Sequence, residues 1–175
     1  MQLKPITKQT FNSYYKRKKE DFVFAERRTL FADKRALNKP NFKQCYITKN
    51  NNNIGYICYW DLGEFIFIEH FAIFKEIRCQ GNGTQFFKWF AESQTKPIIF
   101  EVDTPVNEIS KRRIKFYNNL GFVLNKYNYI QPAYRLLGKS VPMSIMSQNK
   151  ELSKNEYNTY VAQIYKNVYN KQYKN

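Results

Sequence analysis

The stretch that decides the fold is EFIFIEHFAIFKEIRCQGNGTQFFKWF, residues 64–90. Its first part, residues 64–74, is an almost continuous apolar run rich in Phe and Ile, which predicts a strand buried on both faces. Residues 84–93 carry apolar side chains at helical spacing. Between the two lies the segment RCQGNGT, residues 78–84, called the glycine loop below. The sequence therefore predicts a strand, a glycine loop and a helix in direct succession.

The position of the glycine loop, between a strand and a helix, is one where a phosphate group can bind. Glycine lets the backbone turn sharply and approach a ligand closely, and the first amides of a helix are donors without intrahelical partners. A diphosphate fits such a place, with Arg78 and the Thr84 hydroxyl as further donors. The loop is neither a P-loop nor a good Rossmann fingerprint, because it lacks Gly-Lys-Ser/Thr and has Phe86 in place of a third glycine. Taken alone, it leaves a phosphate site and a plain tight turn as alternatives.

Upstream of this stretch, two patterns predict a helix and a hairpin. Residues 10–27 are charged and aromatic, and we expect a helix with Lys18 at the solvent edge of an aromatic face; that face consists of Phe11, Tyr14 and Tyr15. Residues 43–60 read as two strands joined by an asparagine turn at residues 50–53.

Downstream, strands and helices continue to alternate. We expect a strand at residues 98–102 and a helix at residues 109–120 that ends at Gly121. Shorter strands are predicted near residues 122–129, 134–137 and 143–146. This order predicts a mixed α/β or α+β fold, with helices on the faces of a sheet.

The C-terminal tail differs from the rest of the chain. Ser153 and Glu156 have the spacing of a capping box, and the apolar stripe that follows predicts an amphipathic helix. Such a helix either docks on its own domain or binds a partner, for example a second copy in a homodimer. We therefore divide the chain into a domain at residues 1–147 and a basic helix at residues 148–175.

The composition excludes several classes of protein. The 175 residues suffice for one cored domain, and the formal net charge of +15 attracts polyanions without choosing among them. With one His, three Cys and no CxxC pair, we expect no metal site and free thiols in a reducing compartment, hence a cytoplasmic protein. No apolar run approaches the roughly 20 residues of a membrane helix, so no membrane partner is expected.

A second motif joins the glycine loop to a known family. The segment FYNNLGF, residues 116–122, closes the predicted second helix of the downstream half. A strand ending in Arg/Gln-x-x-Gly-x-Gly/Ala, followed by a helix ending in Phe-Tyr-x-x-Leu-Gly-Phe, resembles the GNAT superfamily of N-acetyltransferases. The segment QPAY, residues 131–134, is similar to an uncharacterised bacterial subgroup. The resemblance covers about residues 1–147.

The resemblance implies a GNAT-like acyl-CoA N-acyltransferase fold, a mixed and mostly antiparallel central sheet flanked by helices. It implies acetyl-CoA as co-substrate and direct acetyl transfer to an amine of a small molecule or peptide. The backbone of Phe71 and Ile73 would bind the pantetheine arm. Ser110 stands where the family often has a coenzyme-contacting Asn. The remaining coenzyme-binding residues would be those of the glycine loop, Arg78, Cys79, Gln80, Gly81, Asn82, Gly83 and Thr84.

Two residues are candidates for the chemistry. An amine that is protonated at neutral pH needs a base, and Glu69 lies in the apolar strand on the face predicted for Phe71 and Ile73, where burial would raise its pKa. A structural carboxylate paired with Arg or Lys is the alternative. His70 could instead be the base, although a satisfied core histidine fits better. By the resemblance, Tyr117 would protonate the leaving thiolate, or else pack as an aromatic under the coenzyme.

Two other functions compete with an acetyltransferase. The same fold could serve as a non-catalytic acyl-CoA-binding module or sensor. A nucleic-acid binder is the third class, since residues 157–174 interleave Tyr and Lys, yet the sequence has no RNP, KH or helix-turn-helix signature. We therefore expect an amine acceptor and no specific nucleic acid. The acceptor's identity and the length of the acyl donor are not encoded in any of these motifs.

Overall fold

The computed structural model describes residues 1–135 and 137–173. The strands are β1 (Gln2–Pro5), β2 (Phe42–Lys49), β3 (Asn52–Asp61), β4 (Ile66–Ile73), β5 (Ile98–Asp103), β6 (Phe122–Leu124), β7 (Tyr129–Gln131) and β8 (Val141–Gln148). The helices are α1 (Phe11–Asp21), α2 (Leu30–Ala36), α3 (Asn82–Glu92), α4 (Glu108–Asn118) and α5 (Lys154–Ile164). Short 3₁₀ turns lie at Phe24–Glu26 and Lys75–Ile77, and a π-helical turn at Tyr165–Tyr169.

The strands form an eight-stranded sheet in the order β1-β2-β3-β4-β5-β8-β6, with β7 paired to β8. The pairs β1–β2, β2–β3, β5–β8, β6–β8 and β7–β8 are all antiparallel. The predicted fold class, a mostly antiparallel sheet with helices, is confirmed. The chain forms two compact units, residues 1–61 with 68–94, and residues 62–67 with the described residues from 95 onward.

In the first unit, the predicted hairpin and buried strand are both confirmed. Asn50 and Asn51 join β2 to β3 with φ of 50° and 64°, a conformation that asparagine adopts more readily than most residues. Gly55 allows β3 to approach β4, because a Cβ atom there would lie 2.3 Å from the Ala72 carbonyl oxygen. Side chains from both strands fill the core of this unit, among them Tyr56, Ile57, Ile68 and Ile73.

Helix α1 corrects one expectation. Phe11, Tyr14 and Tyr15 are buried as predicted, but Lys18 is fully buried rather than at a solvent edge. Its Nζ lies 3.0 Å from Oδ2 of Asp33, which is also fully buried. The sequence pattern around α1 could not reveal this because the counter-charge comes from α2, 15 residues away.

In the second unit, α4 begins at a capping box and ends near a left-handed glycine. The Asn107 side chain accepts the Ser110 amide at 2.9 Å. Gly121 has a left-handed φ of 85°, but it lies two residues after the C-cap Asn119, one position beyond the predicted C′ site. The region predicted as one strand from 122 to 129 holds the shorter strand β6, and β7 begins only at its last residue. The strand predicted at residues 134–137 is wrong: residues 134, 135 and 137 form a bend and a turn, and Leu136 lies outside the described residues.

The C-terminal helix packs within the second unit. Both capping-box bonds between Ser153 and Glu156 are present, and the stripe of Tyr157, Val161 and Ile164 is buried. The Tyr157 hydroxyl donates to the Asn128 carbonyl at 3.0 Å. The helix thus buries its apolar stripe within its own unit; residues 174 and 175 lie outside the described part.

Candidate active site

The glycine loop follows β4 and runs into the first turn of α3, in the first unit, so the predicted order of strand, loop and helix is confirmed. Gly81 is the N-cap of α3 with φ of 74°, and Cys79 has φ of 61°, so the backbone turns twice through the left-handed region. The Gln85 amide makes the first intrahelical bond, to the Gly81 carbonyl at 3.0 Å. The amides of residues 82–84 precede that bond and are donors of the kind that bind phosphate at a helix N-terminus.

Arg78 opens the glycine loop and is held at both ends of its guanidinium. Its Nε donates to the Ile73 carbonyl at 2.7 Å, and one terminal nitrogen lies 2.5 Å from Oδ1 of Asp21. Asp21 is the last residue of α1, and its other oxygen accepts the Tyr56 hydroxyl at 3.0 Å. Arg78 is thus oriented by a carboxylate 57 residues away, while 43% of its side chain stays exposed.

Asn82 closes the other end of the loop. Its side-chain nitrogen donates to the Ile77 carbonyl at 3.1 Å, and its side-chain oxygen accepts Lys49 Nζ at 3.1 Å. Neither Asp21 nor Lys49 belongs to a local motif, so the sequence pattern did not point to them. Only contacts across the fold bring these two residues to the loop.

Glu69 lies at the centre of a buried group that we call the Glu69 cluster, Arg28, Trp60, Glu69 and His70. One carboxylate oxygen forms an ion pair with Arg28, and the other accepts the Trp60 indole N–H at 2.6 Å. The Glu69 side chain has no exposed surface, and that of Arg28 is 10% exposed. The arrangement fits the alternative that sequence analysis left open, a structural carboxylate paired with arginine.

The charge state of Glu69 differs from expectation. Burial alone would raise the pKa of Glu69, but the adjacent positive charge of Arg28, with Lys18 and the Trp60 hydrogen bond, outweighs burial and lowers this pKa to about 2. The predicted raised pKa is therefore wrong. The sequence shows the apolar run around the residue but not the cation that folding places beside it.

The predicted alternation along β4 also fails at this point. Glu69 and Phe71 were expected on one face, yet Glu69 bonds Trp60 while the Phe71 ring packs on Phe86 of α3 at 5.3 Å. Tyr59, the neighbour of Trp60, packs on α3 through Phe90, so Trp60 faces away from that helix. The two side chains therefore diverge.

The main chain of β4 is partly accessible even where its side chains are buried. Glu69 and Phe71 are part-exposed residues, although the Glu69 side chain is fully buried. The exposed part of Glu69 is thus backbone. This exposed backbone lies in the segment expected to bind the pantetheine arm, whereas the Ile73 carbonyl is already bonded to Arg78.

His70 is a core histidine. It is 3% exposed, its Nε2 lies 2.8 Å from the Glu26 carbonyl oxygen, and the Phe22 ring packs edge-on at 4.6 Å. Burial lowers the pKa of His70 to about 3, with a further contribution from Lys18. The lowered pKa keeps the imidazole neutral at physiological pH and makes it a weak proton acceptor there.

Tyr117 and Ser110 lie on α4, in the second unit. The Tyr117 ring packs against Phe100 at 4.5 Å and Phe116 at 5.0 Å, and burial raises the pKa of its hydroxyl to about 12. Ser110 is 2% exposed, and its hydroxyl donates to the Asn107 carbonyl at 2.9 Å. The Ser110 side chain is thus used in capping α4.

The second unit holds one further cluster that sequence analysis missed. The Glu101 carboxylate on β5 accepts hydrogen bonds from Tyr129, from Gln131 at 2.6 Å and from Tyr169 at 2.7 Å. Tyr169 reaches it from the π-helical turn, 68 residues away. Only a spatial arrangement could reveal this group, since its members share no spacing in the sequence.

Neither a metal cluster nor a membrane span is present in the described part of the chain. Within residues 1–135 and 137–173, no group of three or more His, Cys, Asp or Glu side chains is placed to hold a metal ion. Over the same residues, no helix has the length and apolar character needed to cross a bilayer.

Comparison with known proteins identifies the family. Residues 7–122 match the acetyltransferase (GNAT) family. A solved structure from Bacteroides thetaiotaomicron, described as "Putative acetyltransferase from GNAT family", is 31% identical, with a TM-score of 0.92 over 97% of this chain and 98% of that one. The chain therefore belongs to the acetyltransferase (GNAT) family, as the resemblance predicted, and this membership supports an acyltransferase. No curated protein sequence matches the chain significantly.

More distant structures share the fold alone. A mutant of the spermidine N-acetyltransferase SpeG from Vibrio cholerae has a TM-score of 0.62 at 11% identity, over 85% of this chain and 94% of that one. The ribosomal-protein-S18-alanine N-acetyltransferase from Escherichia coli has a TM-score of 0.57 at 12% identity, over 87% and 95%. Both names describe N-acetyltransferases.

Proposed function

We propose that the protein transfers an acetyl group from acetyl-CoA directly to an amine of a small molecule or peptide. The observation that carries the proposal is the backbone of the glycine loop, where the amides of residues 82–84 precede the first hydrogen bond of α3. Family membership supports the acyl donor. The thioester C–S bond breaks, an amide C–N bond forms, and the amine loses one proton.

The residues present fit the coenzyme. A diphosphate carries negative charge and many acceptor oxygens, and the glycine loop offers backbone donors at the positive end of a helix together with the part-exposed side chain of Arg78. We propose that the amides from Cys79 to Thr84 bind the diphosphate and that the β4 backbone at Phe71 and Ile73 binds the pantetheine arm. For Ser110, a bond to the coenzyme would compete with the capping of α4, in which its hydroxyl is engaged.

The class of acceptor is left broad. Fold neighbours are named for a polyamine, spermidine, and for the alanine of a ribosomal protein, so the shared fold is compatible with small and peptide amines alike. We further propose a cytoplasmic location, because Cys45, Cys58 and Cys79 are all free thiols and free thiols persist in reducing compartments.

Proton transfer rests on Tyr117 rather than on Glu69. A hydroxyl with a pKa near 12 stays protonated at neutral pH, as a general acid for a leaving thiolate must. A carboxylate with a pKa of about 2 is too weak a base to take a proton efficiently from an amine. We therefore propose that Glu69 acts by orienting its cluster beside β4, and that the acceptor's proton passes to water.

A non-catalytic acyl-CoA-binding module is the second candidate. It is favoured by one observation, the pairing of Glu69 with Arg28 in a position with no exposed side-chain surface. A protein that only binds the coenzyme needs the glycine loop but no base. Under this alternative, the Glu69 cluster is purely structural.

One experiment separates the two candidates. The protein is incubated with acetyl-CoA and a panel of polyamines, amino acids and peptides, and release of free thiol is followed with a colorimetric reagent. Amine-dependent thiol release, with acetylated product detected by mass spectrometry, supports the transferase. Coenzyme binding measured by calorimetry, without turnover on any amine, supports the binding module.

A further inference from the structure

Lys49, the last residue of β2, holds its ammonium at the first turn of α3. Nζ donates to Oδ1 of Asn82 at 3.1 Å and to Oε1 of Gln85 at 2.9 Å. Both acceptors are neutral amide oxygens. Among the described residues, no carboxylate forms an ion pair with Lys49. The ammonium is thus fixed in place while its charge is left uncompensated.

This is an unfavourable place for a cation in the free protein. The N-terminus of a helix carries partial positive charge, and a like charge in the first turn is repelled. Lysine is therefore better placed near the C-terminus of a helix than near its start. Here two side chains of the helix itself hold the ammonium against the repulsion.

The arrangement becomes favourable when an anion binds at the same turn. Asn82 supplies one of the amides that precede the first helical bond, and the same residue accepts the ammonium through its side chain. A phosphate bound to those amides would lie beside Lys49. Charge-assisted bonds to phosphate are roughly twice as strong as neutral ones.

We propose that Lys49 is a further coenzyme-binding residue, which adds its positive charge to the glycine loop and binds the diphosphate of coenzyme A. This inference rests on the proposed function, because it requires the coenzyme as ligand. It extends the site from the loop itself to the end of a strand 33 residues earlier in the chain. In this proposal, Lys49 of β2 supplies a positive charge and the glycine loop supplies the backbone donors.

The first test replaces the charge and measures affinity. Titration calorimetry with coenzyme A should give about tenfold weaker binding for Lys49→Met than for the natural protein, the loss of one charge-assisted bond. Lys43→Met is the matched control, because Lys43 is an exposed residue of the same strand, about 20 Å away at 3.3 Å per residue. The control should bind like the natural protein, and equal affinities for both variants and the natural protein would overturn the inference.

The second test separates a charge effect from a structural one. Since the free protein loses a repulsion, Lys49→Met should unfold at the same or a higher temperature than the natural protein without ligand. Its coenzyme affinity should fall less steeply with added salt, because one charge no longer contributes. A lower unfolding temperature together with an unchanged salt dependence would make Lys49 a structural residue and overturn the proposal.

The third test assigns the phosphate. With 3′-dephospho-coenzyme A, Lys49→Met should still bind about tenfold more weakly than the natural protein. The diphosphate is intact in this ligand, so the substitution removes the same charge-assisted bond. Equal affinities of the natural protein and Lys49→Met for 3′-dephospho-coenzyme A would contradict the assignment to the diphosphate. If the natural protein itself gives no binding heat, the proposed function and this inference fall together. If it binds and Lys49→Met binds equally well, the inference alone falls.

Discussion

The glycine loop and the Glu69 cluster are both built on β4, yet they differ in exposure and in what holds them. The loop owes its shape to backbone conformation and offers the amides of residues 82–84 as donors. The Glu69 cluster is buried, owes its charge state to side chains, and has each oxygen of Glu69 already bonded. The loop thus has backbone donors without intrahelical partners, whereas both oxygens of the Glu69 carboxylate are already bonded.

This difference in exposure and bonding explains why a ligand is expected at the glycine loop and not at the Glu69 cluster. A carboxylate paired and desolvated in the folded state is costly to disturb, so it is better suited to ordering its surroundings than to exchanging protons. A row of backbone donors at a helix start needs an acceptor from outside the helix. We therefore propose that the loop binds the ligand and that the cluster has a structural role.

Breaking the cluster should have the largest effect. Glu69→Gln takes away the carboxylate that neutralises the buried Arg28 guanidinium, and we expect a loss of about 3–5 kcal/mol in the free energy of unfolding. In a chain of this size, that corresponds to roughly 10 °C in the unfolding temperature. Chemical denaturation of the variant and the natural protein measures the difference.

The control for that change removes an exposed pair of the same kind. Glu76 bonds Arg17 at 2.7 Å with 58% of its side chain exposed, and exposed ion pairs contribute little because water and salt screen them. Glu76→Gln should therefore leave stability almost unchanged. Equal effects of the two substitutions would mean that Glu69 is not the buried partner described above.

Because Glu69 is paired with Arg28, proton transfer is proposed for Tyr117, and a substitution there tests this role. If its hydroxyl protonates the leaving thiolate, Tyr117→Phe should lower kcat by about 100-fold, the lower range for a general acid, with little change in KM for acetyl-CoA. Tyr160→Phe makes the same chemical change on α5 and should leave kcat as it is. A Tyr117 variant with full activity would remove the proton-donor role and leave only ring packing.

The pH dependence of stability sharpens the comparison further. The folded pKa of His70 is lowered to about 3, so from the ordinary value of about 6.5 downward the unfolded chain binds a proton that the folded chain does not. Stability should fall with decreasing pH by about 1.4 kcal/mol per unit in this window. Glu69, lowered to about 2, acts in the same direction below its ordinary value of 4.5.

The single histidine makes that window easy to assign. Because His70 is the only His in the sequence, its protonation dominates between about pH 6.5 and 5, above the range of ordinary carboxyl groups. His70→Gln should flatten the unfolding free energy over this interval. A slope that persists in the variant would place the titration elsewhere.

The sequence could predict features that depend on neighbouring residues but not features that depend on partners far along the chain. The buried strand, the glycine loop, the asparagine turn and the capped C-terminal helix depend on neighbouring residues, and each was predicted correctly. The burial of Lys18 and the low pKa of Glu69 depend on partners far along the chain, Asp33 and Arg28. Local patterns carry no information about such partners, so both expectations were wrong.

The family resemblance added what local physics could not. Arg78 to Thr84 together with residues 116–122 pointed to the family that the comparison later identified. The family resemblance was less informative about the roles of individual residues. Ser110 caps its own helix, and Lys49 was not considered because a strand earlier in the chain brings it to the loop.

The most direct test of the central claim is calorimetric titration of coenzyme A into two matched glycine variants. Gly81 and Gly63 have φ of 74° and 86°, and an added Cβ would meet no atom within 4 Å at either position, so alanine costs both similar backbone strain, about 1 kcal/mol. We predict micromolar binding by the natural protein and by Gly63→Ala, and about tenfold weaker binding by Gly81→Ala, a difference of roughly 1.4 kcal/mol. No binding by the natural protein, or equal affinities for the two variants, would contradict the account.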